Sequence, residues 1–161
     1  MQGADPFDEV EFFSAIARSG ARALLIGRRA LIALGIPVLT ADYDFWVSMD
    51  DIAAFNAALA PLGFTPNRPP EQVKQFGRYR MEDGETLDVL AARQAATFDG
   101  QPVRFDDLWA RRRPVEYTQG VTIFVPAVAD LILTKRFGTR ARDRDDIRLL
   151  EALLFKEGKQ P

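Results

Sequence analysis

Three aspartates at two places in the sequence have the residue type and spacing to do chemistry. Asp42 and Asp44 are two residues apart at the start of the strand-like segment Tyr43 to Ser48, and alternate residues of a strand share a face. Two carboxylates this close repel each other unless both are solvated, one is protonated, or a cation lies between them. The pair is therefore either a surface pair or half of a metal site.

The third aspartate, Asp88, interrupts the apolar run Thr86-Leu87-Asp88-Val89-Leu90. A charge inside such a strand is costly unless it is paired or bound to a metal, and the alternative is an Asp that faces outward from a half-exposed strand. If this strand neighbours the one that holds Asp44, the three acids can converge. A site made only of oxygen ligands favours a hard cation such as Mg²⁺ or Mn²⁺.

Composition excludes several other kinds of chemistry. The 161 residues contain no cysteine and no histidine, which excludes thiol catalysis, zinc ribbons and Ser-His-Asp triads. Lys plus Arg is 21 and Asp plus Glu is 23, for a net charge of −2, so the whole-chain charge gives no argument for a nucleic-acid or membrane partner. The length predicts one domain over residues 1–161.

The elements that must position the acids follow from hydrophobic spacing and from glycines. A buried strand, Ala23 to Ile26, stops at Gly27 and precedes a helix from Arg28 to Leu34. Asp83-Gly84 is a hairpin signal between strands over Arg78 to Met81 and Thr86 to Leu90. The remaining predictions are a helix over 7–19, a helix over 48–60, a loop over 65–77, a strand over 103–105, a helix over 106–112, a strand over 121–125, a helix over 127–137 and a helix after Asp143.

Together these elements predict an α+β fold, with helices on a mixed sheet of four or five strands. Its core would span about 21–125, followed by C-terminal helices over about 127–157. Phe45 and Trp46 are expected in the core. Met1 to Glu11 has no apolar segment typical of a signal peptide, and no run is long enough to span a membrane, so a soluble, cytoplasmic protein is expected.

This order of elements and acids resembles the nucleotidyltransferase superfamily, and most closely its small prokaryotic members, which include the AbiEii-type toxins. The resemblance covers about residues 21–155. The matching motifs are Leu25-Ile26-Gly27, the helix up to Gly35, Thr40-Ala41-Asp42-Tyr43-Asp44, Leu87-Asp88-Val89-Leu90, the segment from Val125 to Lys135, and the segment from Arg140 to Ile147.

The resemblance implies a Mg²⁺- or Mn²⁺-dependent transferase that moves a nucleoside monophosphate from an NTP to a hydroxyl of RNA, protein or a small molecule. Asp42, Asp44 and Asp88 would be the catalytic, metal-binding acids, and Asp88 could also take the hydroxyl proton. A toxin role in a toxin–antitoxin pair, with an antitoxin as partner, is implied by the resemblance alone. The alternative is a catalytically degenerate member that acts as a nucleotide-binding or protein-interaction module.

The nucleotide-binding residues that the resemblance implies are Gly27, Arg28, Arg29, Thr40 and Lys135. The family's turn has Gly or Ser after its first glycine, whereas this chain has Arg28. A bulky Arg28 would block the phosphates, or its guanidinium would bind one. Lys135 would contact the triphosphate or extend to solvent.

The other charged clusters are expected to be structural. Arg140, Arg142 and Arg144 are interpreted as a salt-bridge and capping cluster beside Asp143 and Asp146, which resemble an N-cap pair. The segment 111–113, three consecutive arginines, is interpreted as a solvated helix end, or as a small contact surface for RNA or an acidic partner.

Overall fold

The computed structural model describes residues 7–158. Residues 1–6 and 159–161 lie outside this part. The two ends of the predicted domain 1–161 and residues 1–6 of the segment 1–11 therefore lie outside the described residues. Within the described part, no helix is both long and apolar enough to cross a membrane.

Helices and strands alternate from α1 to β4, and the later part of the chain contains runs of strands and a final pair of helices. The helices are α1 (Glu9–Arg18), α2 (Gly27–Ala33), α3 (Ile52–Leu59), α4 (Pro70–Phe76), α5 (Phe105–Ala110), α6 (Val128–Lys135) and α7 (Ala141–Lys156). The strands are β1 (Ala23–Ile26), β2 (Tyr43–Val47), β3 (Thr65–Pro66), β4 (Arg78–Asp83), β5 (Glu85–Leu90), β6 (Gln94–Ala96), β7 (Pro102–Arg104), β8 (Arg113–Thr118) and β9 (Val121–Val125).

The main sheet has five strands in the order β1-β2-β5-β4-β3. Strands β2 and β5 are parallel, and the other neighbouring pairs are antiparallel. The sheet is therefore mixed, and the predicted α+β class with a five-stranded sheet is confirmed. Strands β6 and β7 form one separate two-stranded sheet, and β8 and β9 form another.

Each face of β2 packs into a different apolar cluster, as the two-residue period of a strand requires. Tyr43, Phe45 and Val47 belong to the larger core, with α1 and α3. Trp46 packs on the opposite face, against Phe105 and its neighbours from β7 and α5, and its indole N–H donates to the Ala92 carbonyl at 2.8 Å. The prediction that Phe45 and Trp46 are core residues is confirmed.

Two local predictions need correction. The segment 65–77 is not a loop, because it contains β3 and α4, which begins with Pro70 at its first position and ends before Gly77 (φ +73°). The proline-rich composition misled the prediction, since proline is well tolerated at the first turn of a helix. Two residues separate strand β8 from the end of α5, and this strand was not predicted because Pro114 was interpreted only as the residue that stops the preceding helix.

The hairpin between β4 and β5 matches its prediction. Gly84, with φ +73°, separates Asp83 at the end of β4 from Glu85 at the start of β5. This turn fixes the register in which Arg80 lies opposite Asp88, and it thereby determines which side chains surround the acidic site.

Candidate active site

Asp44 and Asp88 lie side by side on neighbouring strands. The parallel pairing of β2 with β5 places Asp44 directly opposite Asp88 in register. Both side chains are half-buried, and both lie on the face of the sheet that Trp46 and Leu90 continue, by the two-residue period of a strand. The adjacency of these two strands, on which the predicted convergence of the acids depended, is therefore present.

Gly27 contacts the Asp44 carboxylate at the end of the neighbouring strand. Ile26 is the register partner of Asp44, and the next residue turns with φ +69°. A Cβ atom at Gly27 would lie 2.5 Å from Asp44 Oδ2, which is too close for any real contact. Glycine is thus required both by the left-handed backbone and by the carboxylate beside it.

The pKa of Asp44 is raised to about 6. Burial is the main cause, followed by the negative charges of Asp88 and then Asp42, while Lys135 and Arg140 oppose the shift. A carboxyl in this environment gains from any cation that approaches it. The raised pKa of Asp44 therefore reflects its burial first and its acidic neighbours second, with partial compensation by the two cations.

Asp42 lies just before β2 and its residue is exposed, so the strand pleat does not fix its side chain as the sequence predicted. Its backbone N–H donates to Thr40 Oγ1 at 3.0 Å. Arg29 donates to the carbonyls of Thr40 at 3.1 Å and Asp42 at 3.3 Å, and its guanidinium covers the Tyr43 ring at 4.1 Å. Thr40 and Arg29 thus order the segment that carries Asp42, and Arg29 does not line the cleft beside it.

A cleft opens beside Asp44 between the end of β1 and the helices α6 and α7. Its walls combine the acids with several cationic and small residues. They are Ile26, Gly27, Arg28, Thr40, Asp42, Asp44, Thr134, Lys135, Phe137, Gly138, Arg140, Arg142 and Asp143.

Two cations of this cleft are held by one buried acid, Asp146, which is 0% exposed. Lys135 Nζ lies 2.7 Å from Asp146 Oδ2, and the Arg28 guanidinium lies 3.1 Å from Oδ1. Arg28 also donates to the Leu39 carbonyl at 3.1 Å. Its charge is therefore engaged at the wall of the cleft, and Lys135 is buried beside its partner rather than extended to solvent.

The prediction that Asp146 caps α7 is wrong. Arg140 is the N-cap residue, and Asp143 accepts from its backbone N–H at 3.3 Å and from its guanidinium at 3.0 Å. Arg140 is thus the capping and salt-bridge residue that was expected, although it also lines the cleft. Asp143, Asp146 and Leu150 are spaced three and four residues apart on the buried face of α7, and this spacing could have revealed a buried acid.

Arg111 and Arg112 are exposed at the end of α5, whereas Arg113 is half-buried at the start of β8. Arg111 pairs with the buried Asp130 at 2.8 Å, the Arg112 guanidinium lies over the Trp109 ring at 4.1 Å, and Arg113 pairs with Glu157 at 3.0 Å. All three are engaged in structural contacts, because the segment runs from the end of α5 into β8.

The carboxylate oxygens of this site are donors that suit a hard divalent cation. No group of three or more acidic side chains in residues 7–158 is close enough together to hold a metal ion. Arg80 Nε lies 3.0 Å from Asp88 Oδ1 and neutralises that carboxylate from β4. Oxygen ligands with unbalanced negative charge are what Mg²⁺ and Mn²⁺ prefer, so Asp44 and Asp88 fit such an ion if Arg80 gives way.

Solved structures share this arrangement of helices and strands. The antibiotic-resistance factor ANT(2'')-Ia superposes with a TM-score of 0.63, at 14% identity over 92% of this chain and 83% of that one. The lincosamide antibiotic adenylyltransferase LnuA, in its lincomycin-bound form, gives a TM-score of 0.61, at 15% identity over 92% and 99%. The chain has a nucleotidyltransferase fold.

A candidate nucleotidyltransferase of Thermotoga maritima is similar to the same extent, with a TM-score of 0.58, 15% identity and coverage of 92% and 88%. No family model matches the sequence, and no curated protein matches it significantly. The likeness to the nucleotidyltransferase fold therefore rests on shape. At this level of identity it shows the fold alone, and the superfamily and its AbiEii-type subgroup stay predictions from the sequence resemblance.

The raised pKa of Asp44 predicts a pH-dependent effect of Asp44→Asn. Because the folded-state pKa is about 6 and the ordinary value is 3.8, ionised Asp44 lowers the free energy of unfolding above about pH 6, and this cost disappears below about pH 4. In chelator-treated buffer, we expect Asp44→Asn to raise the free energy of unfolding by about 2–3 kcal/mol near pH 8 and to have little effect near pH 4. Denaturant unfolding at both pH values measures this, and equal effects at the two would contradict it.

The buried charge cluster predicts a contrast between neighbouring aspartates of α7. Asp146→Asn leaves Lys135 and Arg28 without their carboxylate, so we expect a loss of about 3–5 kcal/mol in the free energy of unfolding. Asp145→Asn is the matched control, since Asp145 is 61% exposed and pairs only with the exposed Arg148, and its change should stay within about 0.5 kcal/mol. Similar losses for both variants in urea unfolding would refute the role of Asp146.

Proposed function

We propose that the protein is a metal-dependent nucleotidyltransferase that moves a nucleoside monophosphate from an NTP to a hydroxyl group. The observation that carries the proposal is the pair Asp44 and Asp88, which share a register position on β2 and β5 directly beside Gly27. ANT(2'')-Ia and LnuA, which share the fold, are named as an antibiotic-resistance factor and an antibiotic adenylyltransferase.

The acids would hold one or two Mg²⁺ or Mn²⁺ ions, with Asp42 joining Asp44 and Asp88 from the segment before β2. Such ions neutralise charge on the triphosphate and favour attack at the α-phosphate. Asp44 suits this role because its charge is only partly balanced by Lys135 and Arg140. Asp88 suits it because its present partner, Arg80, is half-exposed and can move.

The cleft beside Asp44 would receive the triphosphate. Gly27 lets phosphate oxygens approach the backbone, because no side chain projects there. Lys135 uses one of its three donors on Asp146, and the others are available toward the cleft that it lines. Arg28 lines the same cleft from its place beside Asp146. This position supports the alternative in which its guanidinium binds a phosphate at the wall of the cleft, and not the one in which Arg28 blocks the turn.

In the reaction, the acceptor oxygen forms a bond to the α-phosphorus while the bond from that phosphorus to the bridging oxygen of the β-phosphate breaks. Pyrophosphate leaves with that oxygen and its electron pair. The proton of the hydroxyl passes to Asp88, which lies next to Asp44 on the acceptor side. Asp146 acts as a positioning residue, because it fixes Lys135 and Arg28 without lining the cleft itself.

The second candidate is a nucleotide-binding module without catalysis, and the ion pair between Arg80 and Asp88 favours it. If Arg80 stays on Asp88 when nucleotide binds, the second acid is unavailable to the metal. In this case Mg²⁺ and NTP would stabilise the protein through Asp44, yet no nucleotide would be transferred. The toxin role and the antitoxin partner belong to the first proposal and rest on family resemblance alone.

Label transfer tests the proposal. The protein is incubated with each α-labelled NTP, Mg²⁺ or Mn²⁺, and total RNA, protein and small molecules of a bacterial extract. We expect label on one acceptor class, and a loss of about 100-fold or more in rate for Asp44→Asn and for Asp88→Asn, because metal ligation contributes several kcal/mol to the transition state.

The matched control is Asp145→Asn, which removes an exposed carboxylate of α7 and should leave transfer unchanged. Transfer that survives both Asp44→Asn and Asp88→Asn would contradict the proposal. Stabilisation by Mg²⁺ and NTP in the wild type, with no transfer from any NTP, would support the non-catalytic module instead.

A further inference from the structure

A groove adjoins the cleft, and Asp44 lies in the wall that the two share. Its volume is about 490 Å³, within the usual range of small-ligand sites. Ile26, Asp44, Phe137 and Arg140 line both hollows, whereas Asp88 lines only the groove. The two hollows thus share a wall that contains the Asp44 carboxylate, and Asp88 lies on the groove side of that wall.

This arrangement assigns the groove to the acceptor, a step that rests on the function proposed above. In phosphoryl transfer the attacking and leaving oxygens lie roughly in line with the phosphorus between them. If the triphosphate occupies the cleft with Gly27 and Lys135, the attacking hydroxyl must come from the side of Asp88. The groove is the hollow on that side.

The charge of the groove is strongly positive once its acids bind a cation. Its lining contains four arginines, which are Arg68, Arg78, Arg80 and Arg140, and two aspartates, which are Asp44 and Asp88. Both aspartates are the proposed metal ligands, so they do not balance the arginines during the reaction. The whole chain has a net charge of −2, and this local excess is therefore not a general property of its surface.

Arg78 and Arg80 are presented by one strand. They are two residues apart on the exposed face of β4, while Tyr79 and Met81 between and beside them are buried in the core. Their register partners on β5 are Leu90 and Asp88. The β4–β5 hairpin thus places two guanidinium groups at the groove beside the second acid.

Arg68 is held in place from the segment before α4. It donates to the Arg78 carbonyl at 3.0 Å, and its guanidinium lies over the Phe76 ring at 4.3 Å. Within residues 7–158, no carboxylate lies within ion-pair distance of Arg68 or Arg78. A positioned guanidinium without an acidic partner is suited to binding a phosphate.

Arg80 lies between the acid Asp88 and the other arginines of the groove. It now pairs with Asp88 at 3.0 Å, and a cation on Asp88 would weaken that pair by direct competition. The guanidinium of Arg80 is half-exposed and is then free to join Arg68 and Arg78 toward an anion in the groove.

We propose that the groove takes a hydroxyl acceptor that carries a phosphate group, with Arg68 and Arg78 binding that phosphate. The acceptor hydroxyl lies toward Asp88 and its phosphate lies toward the arginines. An acceptor rich in amino groups would meet like charge there, so the groove selects against cationic acceptors. A strand of RNA and a small phosphorylated molecule share this chemistry, and the experiment separates them.

The test measures binding to the wild type, to Arg68→Gln/Arg78→Gln and to Arg18→Gln. Arg18 is an exposed arginine at the end of α1 that lines neither hollow, and it is the matched control. The probes are a fluorescent single-stranded RNA with a free 3′-hydroxyl, followed by anisotropy, and a nucleoside 5′-monophosphate, followed by thermal shift, both with Mg²⁺ and a non-hydrolysable NTP.

We expect the double variant to bind the phosphate-bearing probe about tenfold more weakly than the wild type, since each arginine contributes a charge-assisted hydrogen bond. If the probe is RNA, the slope of log Kd against log salt concentration should also fall by about 0.7 for each lost phosphate contact. RNA binding that the monophosphate does not displace identifies a nucleic-acid strand, and binding of the monophosphate alone identifies a small phosphorylated acceptor.

The proposal is overturned if neither probe binds the wild type, or if the double variant binds as tightly as Arg18→Gln. Stabilisation by Mg²⁺ and NTP alone is measured for all three proteins and should be equal among them. If Mg²⁺ and NTP do not stabilise the wild type, that result counts against the nucleotidyltransferase function. The binding of RNA and of the monophosphate tests the groove separately.

Discussion

The repulsion between two neighbouring carboxylates is the constraint on which the account of this protein depends. The parallel pairing of β2 with β5 places Asp44 opposite Asp88, and burial, together with the negative charges of Asp88 and Asp42, raises the pKa of Asp44 to about 6. A fold that only needed stability would not place two acids there, because ionised groups are costly in a half-buried position. The sheet therefore maintains an unfavourable arrangement that a divalent cation would relieve.

The surrounding cations are arranged so that this negative charge is not cancelled. Asp146 binds Lys135 and Arg28, and Asp143 binds Arg140, so three of the nearest cations already have acidic partners. Among residues 7–158, Arg80 alone forms an ion pair with one of the two site acids, and its half-exposed position makes it the replaceable partner. Positive charge thus surrounds the site on both sides, where phosphate groups of a nucleotide and an acceptor would lie.

The sequence predicted the strands that carry Asp44 and Asp88 better than it predicted the residues around them. Alternation within β2 and the apolar run around Asp88 indicated strands, and the Asp83-Gly84 turn fixed one hairpin, because these signals are local. The role of Asp146 was missed because it depends on Lys135 and Arg28, which are distant in sequence and unrelated by any periodicity. Arg80 was missed for the same reason, since only the register of β4 against β5 places it opposite Asp88. Helix α4 was missed because its prolines were interpreted as loop residues.

The most direct measurement is the anomalous scattering of Mn²⁺ in crystals grown with a non-hydrolysable NTP. The account predicts a manganese peak at about 2.0–2.2 Å from carboxylate oxygens of both Asp44 and Asp88, as oxygen-ligated ions of this size require, with the Arg80 guanidinium displaced from Asp88. A peak bound elsewhere, or none at saturating Mn²⁺ with the ion pair between Arg80 and Asp88 intact, would contradict it.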